Sequence, residues 1–212
     1  MPKIVDREER RREIVDTYLQ LVGRDGFEKA SSRALAAELG VASGALWHYF
    51  DGFDEVLLRA FQQSFANTNA RIKAKIGDRS GLAALIAMLE ELFPQSKTTH
   101  DEAYVALGFW GRVPGRPQLR ESQLSIERQW HQTITGMLTE AAASGELLPG
   151  TPADDIADTL LVLTTGYQVE HVLHTPVAQP SRQWSVVRHC LRAWMTEQGR
   201  IATGLDQLAE PA

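Results

Sequence analysis

The sequence predicts an all-α chain of about nine helices, three short ones in front and longer ones behind. Three observations predict it. Apolar residues recur at helical spacing almost throughout, no stretch alternates as a half-buried strand does, and glycine or proline breaks separate the periodic stretches. The chain has 212 residues, 43% hydrophobic and 23% charged, the composition of an ordinary globular protein with enough length to bury a core.

The elements follow in order. Residues 7–24 carry Ile14, Tyr18 and Leu21 on one face and close at Gly23 and Gly26. Ser31 caps a short helix holding Leu35, Ala36 and Leu39, and Gly40 stops it. A second short helix over about 43–49 follows, then a break at Asp51-Gly52 and a long helix over about 53–76. Further helices are predicted over 82–95, 101–113, 118–144, 153–174 and 181–198, with a frayed tail beyond. This divides the chain into residues 1–52, residues 53–200 and a tail at 201–212.

Several classes are excluded or disfavoured. No apolar run approaches the roughly 20 residues of a membrane span, and the first residues have no apolar core of a signal peptide. The expectation is a cytoplasmic protein without membrane contact. Cys190 is the single cysteine, so no intrachain disulfide can form. It sits on an apolar helical face and reads as packing. The net charge is −5, but residues 1–50 hold eight Lys/Arg and eight Asp/Glu. A local positive edge can therefore come from Arg7, Arg10, Arg11, Arg12 and Arg33.

The most informative stretch is 31–50, SSRALAAELGVASGALWHYF. It reads as helix, glycine turn, helix, each piece about two turns long. Helices that short do not stand alone. They must pack on each other and on the first helix, through Leu35, Leu39, Val41 and Leu46. Such a tripod exposes the outer face of its last helix, as a helix-turn-helix does when it enters the major groove. Short helical hairpins also occur in enzymes and adaptors, and the spacing alone leaves these open.

The same stretch resembles the signature of the TetR family of transcriptional regulators. The residues that carry the likeness are Ser31, Leu35-Ala36, Gly40-Val41, Gly44, Trp47 and Phe50, over about residues 10–62. The resemblance implies a DNA-reading front and a rear that dimerises and senses a small molecule, acting as a repressor released from its operator. It implies DNA contacts from Ser31, Ser32, Arg33, Ser43, Gly44, Ala45, Trp47, His48 and Tyr49. The chain departs from the usual pattern at Ala42 and Ala45, which lack a hydroxyl, at Trp47, where tyrosine is usual, and at Phe53, where lysine is usual. Backbone N–H groups at the start of the helix after Gly52 remain candidates for a phosphate.

In the rear half the resemblance implies an effector pocket. Phe93, Tyr104, Trp110, Trp130 and Tyr167 are the aromatic candidates, with Glu170 and His171 as polar partners and Gln168 beside them. An aromatic set beside an acid suits a cationic ligand. The segment FWGRVPGRPQLRESQLSIERQW is similar to the effector half of choline-responsive TetR-type repressors. The last two helices read as a dimer interface through Leu160 and Leu163 on one and Trp184, Val187, Leu191 and Trp194 on the other. A two-fold homodimer would set two reading helices about 34 Å apart on a near-palindromic double-stranded DNA operator. The effector's identity is not encoded legibly. No cofactor, metal or catalytic residue is expected. His171 and His174 lie at i, i+3 beside Glu170 without a third ligand, and neither a phosphate loop nor a nucleophile elbow occurs. The alternatives are an all-helical ligand-binding or adaptor protein without DNA binding, or a helical-bundle enzyme.

Overall fold

The computed structural model describes residues 7–208. Its α-helices are α1 (Arg7–Asp25), α2 (Ser32–Glu38), α3 (Phe53–Ile76), α4 (Gly81–Leu92), α5 (Lys97–Trp110), α6 (Pro117–Ala143), α7 (Ala153–Val172), α8 (Pro180–Leu191), α9 (Glu197–Thr203) and α10 (Leu205–Leu208). Two 3₁₀ helices, Ser43–His48 and Pro176–Ala178, complete the described secondary structure. None of the described helices is long and apolar enough to cross a membrane.

Three apolar clusters organise the packing. The front cluster joins Ile14, Tyr18 and Leu21 of α1 to Leu35 and Ala36 of α2, then to Leu46, Phe50, Val56, Leu57 and Ala60. Val105 of α5 completes it, so the front core reaches well past residue 52 and into the rear half. A middle cluster holds Phe61, Ala106, Phe109, Leu119 and Ile126. The rear cluster is built on α4, which is buried along most of its length, and draws in α6, α7 and α8. The long helix α3 therefore passes from the front core at Val56 to the rear core at Ile72.

The short front helices form for local reasons. Ser31 accepts the Ala34 N–H at 3.3 Å and satisfies one of the free donors at the start of α2. Gly40 adopts φ +66°, the left-handed turn that ends this helix, where a side chain would be strained. The next element has Ala42 at its N-cap and no side-chain cap bond, and it winds as a 3₁₀ helix instead of the expected α-helix. Six residues in this tighter winding suit a piece held from both ends by its neighbours.

The rear departs from expectation at its C-terminal end. The predicted 181–198 helix ends at Leu191, because the chain then pairs with the loop before α7. The Leu148 N–H donates to Trp194 O at 2.8 Å, and the Thr196 N–H donates to Glu146 O at 3.0 Å. Thr196 then caps α9 through its side chain. The tail expected to fray continues as α9 and α10, and Leu205 is buried against the rear core. Residues 209–212 lie outside the described residues.

Candidate nucleic-acid interface and effector cavity

The predicted reading face exists as an exposed surface at one end of the chain. Ser43, Gly44, Trp47 and His48 of the 3₁₀ helix are exposed, with Trp47 at 42%. A side chain added at Gly44 would meet nothing within 4 Å, so this position offers close approach to a partner. Ala45 and Tyr49 are half-buried, and Tyr49 packs against the front core. At the start of α2, Ser31 and Arg33 are exposed and Ser32 is half-buried, while the Ser31 oxygen is engaged as the helix cap. Arg33 stands outside every ion pair formed among the described residues.

The arginines of α1 behave differently from expectation. Arg11 Nε donates to Tyr49 O at 2.7 Å, its guanidinium lies 5.5 Å from the centre of the Phe50 ring, and Glu55 is 3.5 Å away. Arg7 donates to His48 O at 3.2 Å. Both therefore satisfy carbonyls at the C-terminal end of the reading helix, which a 3₁₀ turn leaves without internal donors. Arg10 pairs with Glu13, and Arg24 bridges Asp25 and Glu38. Of the positive edge read from the sequence, Arg10 and Arg11 are therefore paired with carboxylates, while Arg7, Arg12 and Arg33 stay exposed without an acidic partner among the described residues.

The start of α3 is also not a free anion site. Asp54 and Glu55 occupy its first turn, and Glu55 accepts the Asp51 N–H at 2.7 Å. Asp54 is gripped by two cations from the α5–α6 turn, Arg112 at 2.9 Å and Arg116 at 2.5 Å. Phe27, in the loop before α2, sits over Gly108 of α5. A Cβ added at Gly108 would come within 1.9 Å of its ring. These two contacts, one apolar and one ionic, join front and rear in addition to Val105 of α5 in the front core.

Behind this junction lies a cavity of about 910 Å³ between α3, α4, α5, α6 and α7. Trp110 and Trp130 line it, as does Gln168. The other predicted effector residues do not. Phe93 and Tyr167 are buried in the rear core, where their rings meet edge-on at 5.0 Å and Tyr167 donates to Gln183 O at 3.2 Å. Burial pushes the Tyr167 hydroxyl up to about 12. Tyr104 packs on the front core, Glu170 accepts from Thr175, and His171 stacks on His100 at 4.1 Å. Burial and the neighbouring His100 and His174 hold His171 below the usual histidine range. The residues missed are Phe61 and Phe65 of α3, with Ile126 and Leu161. Phe65 meets Trp130 at 5.2 Å, and Phe61 stacks on Phe109 at 3.8 Å. Phe61 and Phe65 are one turn apart on a helix predicted correctly, and that i, i+4 aromatic pair was the available signal.

Polar groups edge the cavity. Arg71 forks onto both oxygens of Glu102, at 2.9 and 2.6 Å, and its Nε reaches Glu91 at 3.0 Å. Burial pushes the Glu102 carboxyl above its ordinary range in spite of Arg71. No cluster of three or more His, Cys, Asp or Glu side chains fit to hold a metal ion occurs among the described residues.

The predicted dimer residues need correcting. Leu160, Trp184, Val187 and Leu191 are at most 2% exposed and form the subunit's own rear core, with Leu163 and Trp194 packed against it. Leu160, Trp184, Val187 and Leu191 are too enclosed to meet a second copy, whereas Leu163 and Trp194 keep part of their surface open. The outer face of α7 carries Val162, 71% exposed, and Leu173, 62% exposed just beyond its end.

Comparison with known proteins accounts for both halves. Residues 14–60 match the tetR family of bacterial regulatory proteins, and residues 82–195 match the C-terminal domain of BetI-type transcriptional repressors. The regulator BetI of Burkholderia lata is 27% identical over 171 residues, 78% of this chain and 84% of that protein. The regulator PksA of Bacillus subtilis is 34% identical over 110 residues, 51% of this chain and 54% of that one. A transcriptional regulator from Saccharomonospora viridis, solved in complex with choline, superposes with a TM-score of 0.80 at 20% identity, covering 90% of this chain and all of that one. The chain belongs to the TetR family and is a DNA-binding transcriptional repressor with a BetI-type ligand-binding C-terminal domain.

Proposed function

We propose that two copies of this chain bind a near-palindromic operator and leave it when a small molecule fills the cavity. One observation carries the coupling. On α5, Ala106 and Trp110 line the cavity, while Val105 and Gly108 hold the front core and Phe27. A ligand that moves α5 must therefore move the base on which the reading helix stands. The mechanism needs only that the ligand prefer the conformation that fits DNA less well.

On the DNA side, Arg33 and the Trp47 indole N–H face phosphates, and Ser43, Gly44 and His48 face base edges, with Ala45 allowing close approach. Ser31, Ser32 and Tyr49 act mainly by shaping the head. Val162 and Leu173, with Gly166 and Val169 at helical spacing between them, give α7 an outer apolar stripe. A second copy seated there would make the homodimer usual in this family. Such a protein acts in the cytoplasm, on its own upstream DNA.

The test combines light scattering with footprinting on the DNA upstream of the gene. The expected result is a dimer that Val162→Asp converts to monomer, and two protected half-sites about one helical turn or a multiple apart. A monomer that protects a single site would overturn the dimer reading.

A further inference from the structure

The cavity is walled by buried side chains on one side and edged by exposed ones on the other. Phe61, Leu92, Thr99 and Thr164 are buried. The two lips are exposed: Glu127, Arg128 and Gln132 on α6, and Asp158, Val162 and Thr165 on α7. Sites for small ligands bury roughly 70–90% of the ligand's surface. A space that opens between two exposed helical edges leaves one side of its occupant in water. One subunit alone therefore makes an incomplete site.

The α7 lip is also part of the outer apolar stripe. Val162 lines the cavity and is 71% exposed, and Gly166, one turn on, lines it too. The stripe continues through Val169 and Leu173 and reaches Val177, 42% exposed, just beyond. From Thr159 to Val169 no side chain carries a charge. A Cβ added at Gly166 would meet nothing within 4 Å, so a second helix can come close there. An exposed apolar stripe of this kind marks an interaction face, and this one runs along the mouth of the cavity. In a two-fold contact the same patch serves both subunits. The stripe that one copy presents is then laid against the mouth of the other.

We propose that a second copy of this chain supplies the outer wall of the cavity, so that each effector site is built from both subunits and closes only in the dimer. This rests on the reading that the chain dimerises through the α7 stripe and that the cavity is the effector site. Ligand binding and dimerisation are then linked, and each strengthens the other.

The test uses the full chain, with sedimentation to give its assembly state. Leu173→Arg breaks the stripe at an exposed residue that does not line the cavity, and a cation at that helix end suits the helix dipole. Gln132→Cys and Thr165→Cys, one on each lip and each combined with Cys190→Ser, report access to the mouth by their rate of reaction with a small thiol reagent. Both thiols are expected to react more slowly in the dimer than in the Leu173→Arg monomer. Diluting the parent chain through its dissociation gives the same comparison without a stripe variant. N-phenyl-1-naphthylamine, an uncharged fluorescent probe that accepts energy from tryptophan, should bind the dimer about tenfold more tightly than the monomer and tighten the dimer in turn, a coupling of ordinary size. Lip thiols that react equally fast in dimer and monomer overturn the proposal, as does a probe affinity equal in both, and the dimer reading survives either result. A Leu173→Arg chain that stays dimeric with its lips open also overturns the proposal. A parent chain that is monomeric at every concentration overturns the dimer reading itself.

Discussion

Replacing Arg11 with methionine separates a residue that supports the reading helix from one that touches DNA. Methionine keeps an apolar stem of similar length and removes only the guanidinium. Four interactions go with it: the 2.7 Å bond to Tyr49 O, the contact with the Phe50 ring and the pairs with Glu55 and Glu8. A hydrogen bond from a charged donor is worth about 1.5–3 kcal/mol, and a cation–π contact about 0.5–1 kcal/mol at an accessible site. The ion pairs with Glu55 and Glu8 add little, about 0–1 kcal/mol each. The expected loss is about 2–4 kcal/mol, several degrees in Tm for a chain of this size. Affinity for DNA should fall because the reading helix loosens, but the slope of log K against log salt should not change, since no phosphate contact is lost. Arg33→Ala should do the reverse, flattening that slope by about one unit with little effect on stability. Denaturant unfolding and fluorescence anisotropy over a salt series read both quantities. An Arg11→Met chain of unchanged stability whose salt slope falls by one refutes the reasoning, because Arg11 would then be a phosphate contact.

Other perturbations follow from the same geometry. Gly108→Ala should cost about 1–3 kcal/mol in denaturant unfolding, since the new methyl group displaces the Phe27 ring, and a stability equal to the parent's would mean that Phe27 moves freely. Tyr18→Phe should stabilise the chain by about 1 kcal/mol, because the Tyr18 hydroxyl is buried without a partner, and a clear loss of Tm would reveal a bond to that hydroxyl. His171 is held below its unfolded value by burial and by His100 and His174, so folding favours its neutral form. Its contribution is complete above about pH 6.5 and is lost as pH falls through the lowered folded value. Tm should therefore drop on acidification from pH 7.5 to 5, less steeply in His171→Gln, and equal slopes in the two proteins would remove His171 from the effect.

How far the sequence could be read varies along the chain. Helix α3 and most of α6 and α7 were legible because apolar spacing and proline or glycine breaks are local properties. The end of α8 was not, because a backbone pairing with residues 146–148, about fifty positions away, stops that helix. The reading helix was found through its glycines and its aromatic close, whereas its 3₁₀ winding depends on the missing cap at Ala42 and on Arg7 and Arg11. Those arginines read naturally as a DNA edge, since composition reports charge and not the carbonyl that takes it. In the rear half, aromatic content pointed to a cavity but could not say which rings face it. Phe93 and Tyr167 fill the core, while Trp110 and Trp130 line the space. Leu160, Trp184, Val187 and Leu191 failed as dimer residues for a related reason: α7 is apolar on two faces, and the stronger pattern, through Leu160 and Tyr167, belongs to the subunit's own core.

The exposed 3₁₀ helix is expected to read a particular DNA sequence under the control of the cavity. The most direct measurement is anisotropy of the duplex upstream of the gene against a scrambled duplex, from low to physiological salt, with and without a small molecule that calorimetry shows to bind the chain. Binding should be tighter to the upstream duplex at every salt concentration, fall steeply with salt, and be released when the cavity is filled. Equal affinity for the two duplexes, with no response to a ligand that demonstrably binds, would contradict this expectation.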